Sequence, residues 1–348
     1  MKALHATGKP THKAGIAFLA LTLLLSACTS PAQTVPRPEP LIVALPGQAS
    51  EVREAFAKRD LMGHLEALQK VADQAGGNRA AGTSGYEASA RYVEDQLRAA
   101  GYKPVRQVFR YWDEDLEENR ETFNILADTA GSADHTIVVG AHLDSVPDGP
   151  GINDNASGVA TLIETARWMA ETGVEPKNRV RFAFWGAEEV DLTGSQHYVD
   201  ELSASEISQT AVNINIDLAA SPNGVRFVHD GDGSSFGDAG PAGSPGLESI
   251  LLDYFAKNSL PAEATAFIGD SDYDAFFQAG IATGGLFAGD VGTKTSEQVE
   301  KYGGTANEDH DRCYHRRCDT LQNVNQQLLN DMAGAIGYAT RAFAMAQM

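Results

Sequence analysis

Residues 136–145 read TIVVGAHLDS, an almost wholly apolar run that ends near a histidine and an aspartate. Such a run predicts a strand that is buried on both faces, as the central strands of parallel sheets are. Helical and extended patterns alternate along the chain around it. We therefore expect an α/β fold, a three-layer α/β/α sandwich around a mixed, mostly parallel central sheet.

The other elements follow from periodicity and turn residues. The expected helices are residues 86–100, 157–171 and 194–202, and the expected strands are residues 122–127, 136–140, 179–185, 211–218 and 225–229. Polar side chains come at or just after the ends of three of these strands. Because open α/β sheets bind ligands at the carboxyl ends of their strands, a functional site is expected at that edge.

Five residues of metal-binding type occur in chain order: His142, Asp154, Glu189, Asp217 and His315. Two imidazoles and three carboxylates suit a pair of zinc ions that share one carboxylate. Glu188 lies beside a ligand and is the natural candidate for a general base. Asp144 can accept a hydrogen bond from the second ring nitrogen of His142. The pattern predicts a metallohydrolase.

Each of these residues has an ordinary interpretation when taken alone. His142 is compatible with a surface histidine, and Asp154 lies in a Gly/Asn-rich turn where aspartate is common. Glu188 and Glu189, however, follow an apolar strand, and adjacent carboxylates near a low dielectric are costly without cations. The histidines interpreted as ordinary are His64, His135, His197, His229 and His310.

Composition limits the class of protein. The 348 residues are 43% apolar and 21% charged, so the chain can bury the core of one enzyme-sized domain. Its net charge is −20, from 47 acidic and 27 basic residues. This balance argues against nucleic acids and anionic membrane surfaces as partners.

The N-terminus predicts export. Lys2, Lys9 and Lys13 precede an apolar stretch at residues 14–25 that is too short to span a bilayer, and small residues lead to Cys28. Residues 1–28 resemble a bacterial lipoprotein signal peptide that ends at a lipidated Cys28. The alternative is an ordinary secretory signal in which the cysteine is incidental.

This signal implies three segments and a location. A Pro-rich tether is expected at residues 29–55 and the catalytic domain at residues 56–348. The protein is expected in the cell envelope or outside the cell, held at an outer membrane or cell surface only through its lipid.

The remaining cysteines, Cys313 and Cys318, are separated by four residues and flank His315. In an oxidising compartment they would form a disulfide that closes a small ring around this histidine. Metal binding through sulfur is the alternative, but the chain has no second cysteine pair to complete such a site.

Several long motifs carry a family resemblance. They are AHLDSVPDGPGINDNASGVATLIETAR (141–167), RVRFAFWGAEEVDLTGSQHYV (179–199), NINIDLAASPN (213–223), GGLFAG (284–289) and DRCYHRRCDTLQN (311–323). They closely resemble the zinc-dependent aminopeptidases of the secreted streptomycete and bacterial leucyl aminopeptidase type. The similarity runs from about Leu61 to the C-terminus, without a protease-associated insert.

The resemblance implies a role for each site residue. Asp154 would bridge two Zn²⁺ ions and be joined to Asn155 by a cis peptide bond. Glu188 would be the general base and acid, and Tyr314 would donate to the oxyanion. The remaining ligands would be His142 and Asp217 for one ion, and Glu189 and His315 for the other.

The implied reaction is peptide hydrolysis at a free N-terminus. A water that bridges the two zinc ions would lose its proton to Glu188 and attack the scissile carbonyl. The substrates would be the N-termini of peptides or proteins, from which single amino acids are released. The enzyme is expected to be a monomer with two Zn²⁺ per chain.

The chain departs from the streptomycete pattern at two places. Gly269-Asp270-Ser271-Asp272 stands where the relative has GRSD, so Asp270 reverses the local charge and is expected to favour basic N-terminal residues. The calcium-binding acids of that relative are only doubtfully matched near Asn330 and Asp331, and no calcium is predicted there.

Three alternative functions remain open. A metallocarboxypeptidase or dipeptidase on a similar scaffold usually carries a dimerisation domain, for which this chain has little room. A glutaminyl cyclase would need only one zinc ion. A non-catalytic binding domain would be expected to lose ligands or the base, and all six positions are occupied here.

Overall fold

A computed structural model of the chain describes residues 48–113, 116–173 and 175–348. The expectations for the signal peptide, the lipidated Cys28 and tether residues 29–47 lie outside the described residues. No helix in the described part of the chain is long and apolar enough to cross a membrane.

The secondary structure alternates between helices and strands, as the sequence predicts. The helices are α1 (Ala49–Phe56), α2 (Leu61–Gln74), α3 (Ser84–Ala99), α4 (Ser157–Glu171), α5 (Thr193–Asp200), α6 (Ala204–Gln209), α7 (Ser244–Lys257), α8 (Tyr273–Gln278), α9 (Ser296–Tyr302) and α10 (Gln326–Met345). The strands are β1 (Val105–Asp113), β2 (Glu118–Asp128), β3 (Ser132–His142), β4 (Asn178–Trp185), β5 (Thr210–Asp217), β6 (Phe227–His229), β7 (Glu263–Thr265) and β8 (Thr283–Phe287).

These strands form one mixed sheet in the order β1-β2-β4-β3-β5-β8-β6-β7. The central pairs β4–β3, β3–β5 and β5–β8 are parallel, as is β6–β7, whereas β1–β2, β2–β4 and β6–β8 are antiparallel. The predicted strand at residues 136–140 lies within β3, near the middle of the sheet.

Helices cover both faces of this sheet. Along β3, Ile137 and Val139 belong to the main apolar core, which also contains residues of α1–α4, α7 and α10. Val138 points to the opposite face and packs in a second cluster with Tyr198 of α5 and Phe276 of α8. This alternation of side chains produces the three layers and confirms the expected fold class.

The element bounds differ from prediction mainly at the sheet edges. Helix 157–171 has the predicted bounds, but the strand expected at 225–229 is only Phe227–His229. Edge strand β1 was not predicted. Its Val105, Val108 and Trp112 are each more than half exposed, so its apolar residues do not mark a single buried face.

Part of the segment predicted as a tether is folded. Residues Ala49–Phe56 form helix α1 rather than part of an extended linker. Ala49, Val52 and Phe56 are buried in the main core, and Phe56 packs edge-on against Trp168. The folded body therefore already includes residues 49–55, because their apolar positions at helical spacing pack against the core.

Candidate metal centre

The carboxyl ends of the central strands bring the predicted polar residues together. His142 is the last residue of β3, and Asp217 is the last residue of β5. Glu188 and Glu189 follow β4 in the loop before α5. Since β4, β3 and β5 are neighbours in the sheet, their ends meet at one edge, as the sequence predicts.

Asp154 lies between two histidines. It belongs to an irregular turn, Ile152–Ala156, that leads into α4. Its Oδ1 is 3.2 Å from Nε2 of His142, and its Oδ2 is 3.1 Å from Nε2 of His315. The Asp154–Asn155 peptide bond is cis, as the resemblance implies. One carboxylate is thus divided between two imidazoles that come from distant parts of the chain.

One further carboxylate lies on each side of this arrangement. Asp217 Oδ1 is 3.2 Å from Nε2 of His142, and Ser271 donates a hydrogen bond to the other oxygen of Asp217 at 2.7 Å. On the other side, Glu189 Oε2 is 3.0 Å from Nε2 of His315. The second oxygen of Glu189 is buried without a hydrogen-bond partner among the described residues.

Asp144 contacts His142 through its backbone carbonyl and not, as expected, through its carboxylate. The backbone carbonyl of Asp144 is 3.2 Å from Nδ1 of His142, whereas its carboxylate is 3.8 Å away. The carboxylate instead accepts the backbone N–H groups of Glu188 and Glu189 at 3.2 and 3.4 Å. Asp144 therefore fixes both the imidazole and the loop that carries the two glutamates.

Burial and close carboxylates shift the pKa of both histidines. Burial alone would lower the pKa of His142, but Glu188 and Asp217 raise it well above its usual value. Burial also opposes the charge on His315, while Asp154 and Glu189 raise its pKa to about 10. Both rings therefore lie in a strongly negative environment.

The pKa values of the carboxylates shift in both directions, upward for the two glutamates and downward for Asp154. Burial raises the pKa of Glu188 well above its usual value, and burial together with Asp154 raises the pKa of Glu189 to about 7. For Asp154, hydrogen bonds from His142 and His315 outweigh burial and lower its pKa. Divalent cations would relieve the mutual repulsion of these acids.

This donor set fits divalent metal ions. One oxygen or nitrogen atom from each of His142, Asp154 and Glu189 lies within 4.8 Å of the other two, and the same holds for His142, Glu188 and Asp217. Imidazole nitrogen and carboxylate oxygen are both ligands that zinc accepts. The unpartnered oxygen of Glu189 is an acceptor that such an ion would satisfy.

A disulfide holds the loop that carries His315. Cys313 and Cys318 are bonded, which confirms the predicted pairing. The Tyr314 ring stacks on His315 with 3.8 Å between ring centroids. Tyr314 also lines the cavity beside the metal centre. The short covalent ring thus constrains two of the residues predicted to act there.

The cavity beside the centre has a volume of about 290 Å³ and a strongly acidic lining. Besides the predicted ligands it includes Asp191, Asp270 and Asp290, and no lysine or arginine of the described residues lines it. Asp270 is solvent-exposed and accepts a hydrogen bond from the Tyr273 hydroxyl at 2.6 Å. His229, interpreted as ordinary from sequence, is a buried residue of the same lining.

Two buried residues that the sequence does not predict support the centre. The carboxylate of Asp319 accepts the backbone N–H groups of Asn153 and Asp154 at 2.8 and 3.0 Å. Arg79 is fully buried and donates to the carbonyls of Leu143, Pro150 and Gly151. Asp319 lies within the DRCYHRRCDTLQN motif, but nothing in the pattern indicates that its partners are backbone amides.

Comparison with known proteins identifies the family. The family model described as peptidase family M28 matches residues 124–340, which contain every residue of the candidate centre. The chain belongs to peptidase family M28. The assignment confirms the predicted family resemblance. The matched region begins in β2 and ends in α10.

Two curated relatives are similar over most of this chain. An aminopeptidase of Pseudomonas aeruginosa is 46% identical over 226 residues, which are 65% of this chain and 42% of that protein. Leupeptin-inactivating enzyme 1 of Streptomyces exfoliatus is 40% identical over 278 residues, 79% of this chain and 59% of that protein. The chain thus spans about half the length of the curated relatives it matches.

A solved structure shares the fold. The structure of a zinc aminopeptidase from Bacillus subtilis superposes with a TM-score of 0.63 at 17% identity. The superposition covers 80% of this chain and 94% of that one. At this identity the likeness extends to the fold alone.

Proposed function

We propose that this chain is a metallo-aminopeptidase that binds two zinc ions and releases N-terminal amino acids from peptides. The observation that carries the proposal is the position of the Asp154 carboxylate, which has one oxygen beside His142 and the other beside His315. A carboxylate in this position can serve two ions at once. Membership of the M28 family and the names of the relatives support the same activity.

The ligands divide into two sets that share Asp154. His142 and Asp217 would hold one ion, and Glu189 and His315 the other, as their pairwise distances allow. When bound, two such ions polarise a carbonyl group and lower the pKa of a water molecule towards neutrality. The carbonyl of Asp144 would keep His142 in the tautomer that leaves Nε2 free to bind.

Glu188 is proposed as the general base and acid. It is buried, its Oε2 is 3.8 Å from Nε2 of His142, and its raised pKa suits a group that takes and returns a proton. Its backbone is held by Asp144, so the carboxylate faces the cavity from a fixed loop. It would move the proton from the attacking water to the leaving amine.

Tyr314 is proposed to stabilise the oxyanion. Burial and the nearby acids Asp154 and Asp217 raise the pKa of its hydroxyl, which therefore remains a donor throughout the neutral range. Stacking on His315 restricts the ring, so the donor is oriented before substrate arrives.

The acidic lining of the cavity suggests a preference among substrates. Apolar lining residues such as Leu192 and Phe287 can contact the methylene stem of a lysine or arginine, while Asp270 and Asp290 attract its charge. We propose that Asp270 favours basic N-terminal residues. The substrate's α-amino group would bind a carboxylate of the centre and one ion.

Residues 1–28 are proposed to be a lipoprotein signal that leaves Cys28 lipidated, with a tether up to the start of α1. The enzyme would then act as a monomer at an outer membrane or cell surface, attached only through the lipid. Labelling with a radioactive fatty acid tests this, because a Cys28→Ala variant should lose all label.

The activity is tested with leucyl and lysyl anilides and their N-acetylated forms. The free anilides should be hydrolysed and the acetylated ones should not, with about two zinc atoms per chain by elemental analysis. Glu188→Gln should lower kcat by roughly 10²-fold to 10⁴-fold while the zinc content is retained. The control is Asp191→Asn, which changes an exposed acid of the same lining.

Two results would contradict the proposal, and a third pattern of substrates would indicate the alternative enzyme. Undiminished hydrolysis by Glu188→Gln would remove the base. Hydrolysis of the acetylated anilides at the same rate as the free ones would indicate an activity that does not require a free N-terminus. Release of amino acids only from peptides with a free C-terminus, or only from dipeptides, would indicate a carboxypeptidase or a dipeptidase, the alternative on this scaffold.

A further inference from the structure

A second cavity, with a volume of about 440 Å³, lies next to the acidic cavity of the metal centre. Its wall is formed by the hairpin of β1 and β2 and by residues within 78–83, 144–147 and 189–191. We call it the hairpin cavity. Glu189 and Asp191 line both cavities, so the loop that follows β4 separates the two.

The β1–β2 hairpin reaches the edge of the sheet at which the metal centre lies. β2 pairs with β4 only from Ile125 to Asp128, and β4 ends at Trp185, one residue beyond the partner of Ile125. The earlier residues of β2 and their partners in β1 continue the hairpin as far as the pair of Asp113 and Glu118. The hairpin therefore projects beyond the carboxyl end of β4.

The order of the strands places the metal centre between the two cavities. β1 and β2 lie at one end of the sheet, the strands that lead to the metal centre lie in the middle, and β8, β6 and β7 lie at the other end. Phe287 of β8, His229 of β6 and Thr265 of β7 line the acidic cavity. Tyr111 of β1 and Arg120 of β2 line the hairpin cavity. The two cavities thus flank the centre along one edge of the sheet.

The wall of the hairpin cavity is held together by the protein itself. The guanidinium group of Arg120 donates to the carbonyl of Gly82 at 2.6 Å, and the Tyr111 hydroxyl donates to the carbonyl of Ala81 at 2.9 Å. Val190, from the loop after β4, packs against the apolar cluster that contains Ala81 and Tyr111. The hairpin and the two segments it contacts are therefore fixed before a ligand arrives, as in most binding pockets.

The lining of the hairpin cavity suits an apolar group. Asp113 pairs with Arg120 at 3.2 Å, and the Asp144 carboxylate already accepts two backbone N–H groups. Leu116 is 57% exposed and adds apolar surface. The apolar residues of the lining are Ala80, Ala81, Tyr111, Leu116, Pro147 and Val190. Because much of the charge in this lining is paired or hydrogen-bonded, burial of apolar surface would dominate binding there.

We propose that the hairpin cavity binds the side chain of the second residue of a peptide substrate, the residue that follows the scissile bond, and favours a large apolar side chain. This inference rests on the proposed aminopeptidase activity. A peptide with its first residue in the acidic cavity and its scissile bond at the metal centre continues along the sheet edge towards the hairpin. Since Glu189 belongs to the centre and also lines the hairpin cavity, the residue directly after the scissile bond is the one that reaches it.

The test uses the full chain loaded with zinc and two peptides, Leu-Phe-Gly amide and Leu-Gly-Gly amide, which differ only at the second residue. The release of leucine gives kcat/KM for each peptide. We expect the wild type to favour Leu-Phe-Gly amide about tenfold, because an aromatic side chain is partly buried. Leu116→Ser should lower this ratio about threefold, since it removes apolar surface from the cavity wall.

Val108→Ser is the matched control, because Val108 is an exposed apolar residue of the same hairpin that does not line the cavity. This variant should keep the ratio of the wild type, and circular dichroism verifies the fold of both variants. Equal kcat/KM for the two peptides in the wild type, or the same ratio in the wild type and Leu116→Ser, would overturn this inference alone. Absence of leucine release from both peptides would instead contradict the aminopeptidase activity itself, and the inference with it.

Discussion

The carboxylate of Asp319 holds the backbone of Asp154, accepting its N–H group at 3.0 Å. The other Asp319 oxygen accepts the N–H of Asn153 at 2.8 Å. Asp319 lies one residue beyond the disulfide ring that contains His315. It therefore joins the turn that carries the shared carboxylate to the loop that carries the second histidine.

Asp319→Asn should weaken metal binding without removing a ligand. An amide can accept only one of the two N–H groups well, and its own NH₂ would face the other. We expect about 10-fold to 100-fold lower zinc affinity, the usual effect of losing an outer hydrogen bond at a metal site. Competition with a chelator measures it. Asp148→Asn, at an exposed acid, is the control, and equal affinities in all three proteins would refute this role.

Asp270→Asn should change selectivity rather than overall activity. The ratio of kcat/KM for lysyl over leucyl anilide should fall about threefold to fivefold, as expected for one exposed charge pair, and Asp270→Arg should lower it further. Asp274→Asn is the control, because Asp274 does not line the cavity. If wild type and Asp270→Arg have the same ratio, Asp270 does not set selectivity.

Removal of the disulfide should affect both stability and metal binding. The double variant Cys313→Ser/Cys318→Ser opens a ring of only a few residues, so the free energy of unfolding should fall by about 2 kcal/mol. Zinc retention should also decrease, because Tyr314 and His315 lose their covalent constraint. Denaturant unfolding and elemental analysis measure the two effects. Unchanged zinc content would mean that the rest of the fold suffices to hold His315.

His229 should make the protein sensitive to acid. Burial lowers its pKa to about 4, so below its unfolded pKa of about 6.5 the unfolded state binds a proton more readily than the folded state. Stability is therefore lost as the pH falls from about 6.5 towards 4. His229→Phe should remove about 2 kcal/mol of this loss by about pH 4.5, since Phe267 and Tyr273 can still pack on the ring.

The measurement is denaturant unfolding at several pH values, compared between wild type and variant. His135→Phe is the control, because His135 is only partly buried in β3. Parallel stability curves for wild type and His229→Phe would show that His229 is not the group that titrates.

The sequence alone predicted the layered α/β fold and the residues that meet at the sheet edge. Parallel neighbouring strands must end at a common edge, so the positions of His142, Asp217 and Glu189 along the chain already imply that they are close. The pairing of Cys313 with Cys318 could be predicted for a different reason, because the chain has only one other cysteine, Cys28.

Tertiary structure decided what depends on contacts between distant segments. The roles of Asp319 and Arg79 rest on hydrogen bonds to backbone groups, which carry no residue-specific signal in the sequence. Helix α1 acquires its apolar partners only when it packs against α10 and Trp168, so composition alone assigned it to the tether.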